Sequence, residues 1–185
     1  MANQREPGIE LVFHSSSPEA TDALAEWLGQ HLEQGCLVTL DGDLGAGKTL
    51  FVKGLARGLG VEEHVDSPTY TLMNEYEGRC RMYHCDAWMQ GREEAFLADG
   101  GQDCLNGNGV TVIEWGSRVK DLLPRGFLAI ELAHLSPTSR SIRLYPDGGG
   151  ELVAGEQDWA WNPLLEELGT KMIHPDLQST ASQTD

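Results

Sequence analysis

The run Gly42-Asp43-Leu44-Gly45-Ala46-Gly47-Lys48-Thr49 satisfies the pattern G-x-x-x-x-G-K-[ST]. At this chain's own Gly, Lys and Ser/Thr frequencies, roughly 0.006 chance matches are expected over its length. The chemistry of such a run is phosphate binding. Gly42, Gly45 and Gly47 let the backbone bend through conformations closed to other residues. The N–H groups of the run, those of Asp43, Leu44 and Ala46 included, can then face an anion. A helix that follows the run directs its positive end at the same anion. Lys48 would bridge the β- and γ-phosphates of a nucleotide, and the Thr49 hydroxyl would take Mg²⁺. The competing reading is a tight glycine turn between a strand and a helix.

Phosphoryl transfer also needs carboxylates near the metal, supplied from the ends of neighbouring strands. Glu114 closes the apolar run Val110-Thr111-Val112-Ile113, and Asp86 closes Met82-Tyr83-His84-Cys85. Either could hold Mg²⁺, and the other could orient the attacking water; each could equally be a solvated acid at a strand end. Ser67-Pro68-Thr69 follows the glycine run by about twenty residues, where a hydroxyl can sense the γ-phosphate and its metal. Thr69 is the candidate sensor, and a plain turn is the alternative. Trp115, beside Glu114, could cover the site, face a partner or fill the core.

These residues need a frame. Ile9 to Phe13 reads as a strand, and Ser17-Pro18-Glu19 opens a helix with Ser17 as N-cap and Pro18 at its first position. Ala20, Ala23, Leu24, Trp27, Leu28 and Leu32 recur at helical spacing up to Gly35. Cys36 to Leu40 is a buried-type strand running into the glycine turn, followed by a helix from Lys48 to Gly58. Tyr70 to Tyr76 and Arg79 to Asp86 form a hairpin about Glu77-Gly78. Further along, a helix is expected over Arg92–Ala98, a strand over Val110–Ile113 and a short helix from Ser117 to Leu123, stopped by Pro124. Strands over Phe127–Leu132 and Ser141–Tyr145 and a turn at Asp147–Gly150 follow. Residues 1–150 then form one domain. Residues 151–185 are an acidic extension: a helix over Trp159–Leu168, then a polar tail from Pro175 to Asp185 expected to be disordered. The pattern is α/β, with a largely parallel sheet and one hairpin insertion.

Composition narrows the partners. Across 185 residues, 13 Lys+Arg face 29 Asp+Glu, a formal net charge of −16. Nucleic-acid binders draw their affinity from Lys and Arg, so direct binding of tRNA or DNA is not expected. Met1 to Pro7 lacks the basic start and apolar run of a secretory signal, and no stretch approaches the ~20 apolar residues that span a bilayer. Cys36, Cys80, Cys85 and Cys104 are irregularly spaced and read as reduced thiols. Cys80, His84 and Cys85 lack the paired spacing of a structural zinc site. The expectation is a cytoplasmic protein with no membrane partner.

Among phosphate-loop classes, a GTPase is excluded because no Asn-Lys-x-Asp guanine reader exists: the lysines are Lys48, Lys53, Lys120 and Lys171. Leu97 to Gln102 only echoes the ABC-transporter signature. A small-molecule kinase would need arginines on a lid, and Arg92, Arg118, Arg140 and Arg143 are scattered. The ordered set of the glycine run, Ser67-Pro68-Thr69-Tyr70-Thr71-Leu72, His84-x-Asp86 and Glu114-Trp115 closely resembles the TsaE (YjeE) family over residues 9–145.

That resemblance implies a three-layer α/β P-loop NTPase fold with a mostly parallel central sheet. It implies weak ATPase activity with ATP and Mg²⁺, in support of TsaB and TsaD homologues that form threonylcarbamoyladenosine at position 37 of tRNA. The tRNA would be met only through that complex. Carried over by motif, Lys48 and Thr49 bind phosphate and metal, Thr69 belongs to a switch-like loop, and Asp86 and Glu114 are the metal and hydrolysis carboxylates. Trp115 joins them as a site residue. Two departures stand out: Leu50 replaces a common second Thr, and the acidic extension runs beyond the usual family end.

Overall fold

The computed structural model describes residues 9–68, 71–88, 102–105, 108–147, 161–172 and 174–183. In chain order the elements are β1 (Ile9–Ser15), α1 (Pro18–His31), β2 (Leu37–Asp41), α2 (Lys48–Gly58), β3 (Met73–Tyr76) and β4 (Met82–Asp86). Then come a one-turn helix α3 (Gln102–Leu105), β5 (Val110–Glu114), β6 (Phe127–His134), β7 (Arg140–Asp147), α4 (Trp161–Lys171) and β8 (Leu177–Gln183). Thr69, Tyr70, the helix expected over Arg92–Ala98 and most of the turn at Asp147–Gly150 lie outside the described residues.

α1 starts as its sequence dictates. The Ser17 hydroxyl accepts the Ala20 N–H at 3.2 Å, and Pro18 takes the first position. α2 spans Lys48–Gly58 and buries Phe51, Val52 and Leu55 completely. Burial of each such side chain contributes about 1.5–3 kcal/mol.

The eight strands among the described residues make one sheet in the order β3-β4-β5-β2-β6-β7-β1-β8. The expected parallel arrangement is its centre: β4, β5, β2 and β6 run parallel. Both flanks are antiparallel, β3 on β4 at one side and β6-β7-β1-β8 at the other. Alternation along β2 serves two layers. Val38 and Leu40 join α1, α2 and α4 in the main core, while Leu37 faces a smaller cluster with Tyr83, Cys85, Cys104, Ile113 and Phe127.

The C-terminal part departs from expectation. The tail forms β8, which pairs with β1 from Ile9↔Gln183 to Ser15↔Leu177. Without it, β1 would present an open row of N–H and C=O groups. Asp176 anchors the entry: its carbonyl accepts the Ser16 N–H at 2.9 Å and its carboxylate the Ser17 hydroxyl at 3.3 Å. Trp161, Leu165 and Leu168 of α4 belong to the main core, so these residues are built into the fold rather than appended to it.

Two smaller differences trace to left-handed backbone. Leu72 (φ 65°) delays β3 until Met73, and its N–H donates to Pro68 O at 2.8 Å. Trp115 (φ 62°) turns the chain after β5, and the expected helix over Ser117–Leu123 becomes two 3₁₀ turns, Gly116–Arg118 and Lys120–Leu122. Among the described residues no helix is long and apolar enough to cross a membrane.

Candidate nucleotide-binding site

The glycine run links the end of β2 to the start of α2, and its shape is set from several sides. Gly42 lies at φ 142°, and a Cβ there would sit 2.2 Å from the Leu132 carbonyl oxygen on β6. Only glycine allows that approach. Gly47, at φ 108°, leads into α2 with no side-chain cap on the helix N-terminus, so the first-turn N–H groups face the loop. Arg140 of β7 donates from Nε to Ala46 O at 2.8 Å. Its Nη1 donates to Ser136 O at 3.0 Å and Ser139 O at 2.8 Å. The β6–β7 turn thus braces the glycine loop.

Lys48 is only 6% exposed. Its Nζ donates to Gly42 O at 2.7 Å and Asp43 O at 3.0 Å and lies 3.6 Å from the ring centroid of Trp115. Burial pushes its pKa down, against the pull of Glu114, Asp41, Asp86 and Asp43.

The two acids stand side by side because β4 and β5 pair in parallel with Asp86 opposite Glu114. Both are buried, at 5% and 3% exposure. Glu114 accepts the Thr49 hydroxyl (3.1 Å to Oε1, 3.3 Å to Oε2), and its Oε1 also lies 3.0 Å from His84 Nε2. Asp86 accepts the Ser67 hydroxyl at 3.2 Å and the Trp88 N–H at 2.8 Å. Trp88 and Trp115 pack with centroids 4.6 Å apart, and the Arg118 guanidinium lies over both rings while donating to Trp88 O.

Leu44, Gly45, Gly47, Lys48 and Thr49 therefore share one cleft of about 310 Å³ with Asp86, Glu114 and Trp115. Gly42 and Asp43 line the neighbouring groove and reach the cleft through their carbonyls, while Ala46 is fully buried. Thr69 is outside the described residues. Four contacts were not read from the sequence: that of His84 with Glu114, that of Ser67 with Asp86, the Trp88 N–H on Asp86, and the brace from Arg140. His84 carried a readable signal, since it shares a strand face with Asp86 two residues on. Arg140 carried none, because its contact depends on a hairpin closing over the loop.

The residues fit a nucleotide with its cation. The ammonium of Lys48 rests on carbonyl oxygens that phosphate oxygens can replace, and one hydroxyl with two carboxylates is the hard-oxygen set that suits Mg²⁺. A glycine loop between a parallel strand and a helix, with acids at the ends of adjoining strands, places the chain in the P-loop class of α/β proteins. The family model for "Threonylcarbamoyl adenosine biosynthesis protein TsaE" matches residues 15–142. The chain is 45% identical over 128 residues to the tRNA threonylcarbamoyladenosine biosynthesis protein TsaE of Treponema pallidum (strain Nichols), covering 69% of this chain and 95% of that one. It is 37% identical over 134 residues to the TsaE protein of Bacillus subtilis (strain 168), covering 72% and 84% respectively. The crystal structure of Bacillus subtilis YdiB superposes with a TM-score of 0.69 at 30% identity, covering 89% of this chain and 97% of that chain. This chain belongs to the TsaE family.

Proposed function

We propose that this protein binds ATP with Mg²⁺ and hydrolyses it slowly in support of TsaB and TsaD homologues. Those partners form threonylcarbamoyladenosine at position 37 of tRNA. The observation that carries the reading is the convergence of Lys48, Thr49, Asp86 and Glu114 on one cleft at the uncapped end of α2. The relatives' names supply the pathway.

In this reading the N–H groups of residues 42–49 and the Lys48 ammonium hold the phosphates. Thr49, Glu114 and Asp86 would hold Mg²⁺, which when bound offsets charge on the transferring phosphate. One of Glu114 and Asp86 orients the attacking water; Ser67 and the Trp88 N–H keep Asp86 in place for either task. Thr69 serves as the γ-phosphate sensor, and Trp115 shields Lys48 from solvent. The tRNA is met only through the partners, because a chain of net charge −16 repels a phosphate backbone. The protein works in the cytoplasm, where its four cysteines stay reduced.

The kinase alternative is the weaker one. Arg140 is spent on loop carbonyls, and Arg143 is paired with Glu10 and Glu131 on the sheet, so neither is placed to ride on a lid. The test is a pull-down with TsaB and TsaD under ATP, ADP or no nucleotide, coupled to ADP release. Nucleotide-dependent capture with stimulated turnover is expected. No capture under any condition, or ATP-dependent phosphorylation of a metabolite, would overturn the proposal.

A further inference from the structure

We infer that His84 is a positioning residue that fixes the carboxylate of Glu114 from the buried side of the cleft, an inference that rests on the ATPase reading above. His84 is fully buried on β4, and its Nε2 lies 3.0 Å from Glu114 Oε1. An ionised carboxylate only accepts, so the ring donates through Nε2–H. Its other nitrogen, Nδ1, is buried and has no hydrogen-bond partner among the described residues. A ring with the proton on Nδ1 would bury an unsatisfied donor and turn a lone pair toward the carboxylate. Both are costly in a low-dielectric interior. The ring is therefore oriented by its bond to Glu114.

The two donors do not treat the carboxylate oxygens alike. Oε1 receives His84 at 3.0 Å and Thr49 at 3.1 Å; Oε2 receives only the longer Thr49 contact at 3.3 Å. Oε1 is thus the anchored oxygen, and Oε2 keeps its lone pairs for a cation or a water in the cleft. Thr49 approaches from the phosphate side, where its hydroxyl also has the nucleotide's cation to serve. His84 approaches from the core and has no other polar contact among the described residues. Removing it leaves Glu114 held by one hydroxyl alone, free to turn about its side-chain bonds.

The distinguishing variants follow from reach. A Gln amide nitrogen extends as far as His Nε2, whereas an Asn amide nitrogen stops at the depth of Nδ1. His84→Leu should lower kcat by about 10- to 100-fold, the loss usual when a supporting hydrogen bond to an active-site group is removed. ATP affinity in calorimetry should be little changed. His84→Gln should recover most of the rate and His84→Asn should not. Independently of turnover, ¹⁵N correlation spectra of the wild-type protein, with and without Mg-ATP, should place the ring proton of His84 on Nε2. Unchanged kcat in His84→Leu, parallel loss of kcat and affinity, equal recovery by Asn and Gln, or a proton on Nδ1 would each overturn the inference. Where His84→Leu fails a thermal-melting check of its fold, the Gln–Asn contrast and the spectrum decide. A wild-type protein that neither binds nor hydrolyses ATP would overturn the functional reading, and the spectrum would then decide the His84–Glu114 bond by itself.

Discussion

Lys48 already holds two backbone oxygens and lies against an indole ring, so a nucleotide bound as proposed would exchange those contacts for phosphate oxygens. Such an exchange would be favoured because an ammonium bonds an anionic phosphate oxygen more strongly than a neutral carbonyl. Lys48→Ala removes an interaction of about 1.5–3 kcal/mol, which corresponds to an ATP affinity weakened about 10- to 150-fold. Calorimetry with Mg-ATP measures this, and an unchanged affinity would remove Lys48 from the phosphate site. The glycines of the loop separate by the same logic. At Gly45 an added Cβ meets nothing within 4 Å, so Gly45→Ala suffers only the left-handed backbone, about 1–2 kcal/mol. At Gly42 the Cβ would collide with the backbone of β6 at 2.2 Å. Gly42→Ala should therefore lower the melting temperature more than Gly45→Ala and abolish ATP binding. Equal melting temperatures would show that the β6 contact does not hold the loop. Lys48, Thr49, Asp86 and Glu114 were legible in sequence because each ends or begins an element with its own hydrophobic signature. The contacts of His84 with Glu114 and of Arg140 with Ala46 were not, since these partners lie 30 and 94 residues apart and meet only through sheet pairing and a hairpin turn.

At the scale of elements, α1 and α2 were readable to the residue at their starts, where a Ser-Pro cap and a glycine loop punctuate strong 3.6-residue periodicity. β8 escaped the same reading because Leu177-Gln178-Ser179-Thr180-Ala181-Ser182-Gln183 has no apolar alternation; backbone pairing with β1 makes it a strand, with Leu177 packed on the core at its start. Truncation after Lys171 should lower the melting temperature and leave the β1 edge open to another copy. Light scattering then reports concentration-dependent association, and a truncated chain that stays monomeric would show that the β1 edge is protected by other means. Between β1 and β7, Arg143 donates to Glu10 at 2.7 Å and holds its carboxyl below the ordinary value of 4.5. A carboxylate with a lowered folded-state pKa stabilises the protein fully above its unfolded value and loses that contribution as pH falls through the folded one. The melting-temperature gap between wild type and Arg143→Ala should accordingly be constant above about pH 4.5 and shrink as the solution is acidified below it. A gap independent of pH would assign it to packing instead of to the ion pair.

Over the whole molecule, a net charge of −16 sets a repulsive background for ATP and tRNA alike. In the proposed function that background is overcome locally at the cleft, by one ammonium, backbone N–H groups and the end of α2. At a partner interface it favours a positively charged surface across many angstroms. The two interactions should then part company with salt: stimulation by TsaB and TsaD should weaken more steeply with ionic strength than ATP binding does. Equal slopes would argue that the partners meet an uncharged face. The charge itself was plain in the composition, but where it is locally overcome depends on which residues the sheet brings together. The pairing of Ile9 with Gln183 has a mechanical consequence. The first and last described strands lie antiparallel with those two residues abreast, so a pull between them opens the β1–β8 ladder one rung at a time instead of shearing all its hydrogen bonds together. A pull applied to these two ends meets little resistance there, and the cleft around Lys48, Asp86 and Glu114 lies beyond β1, β7 and β6 from the point of load.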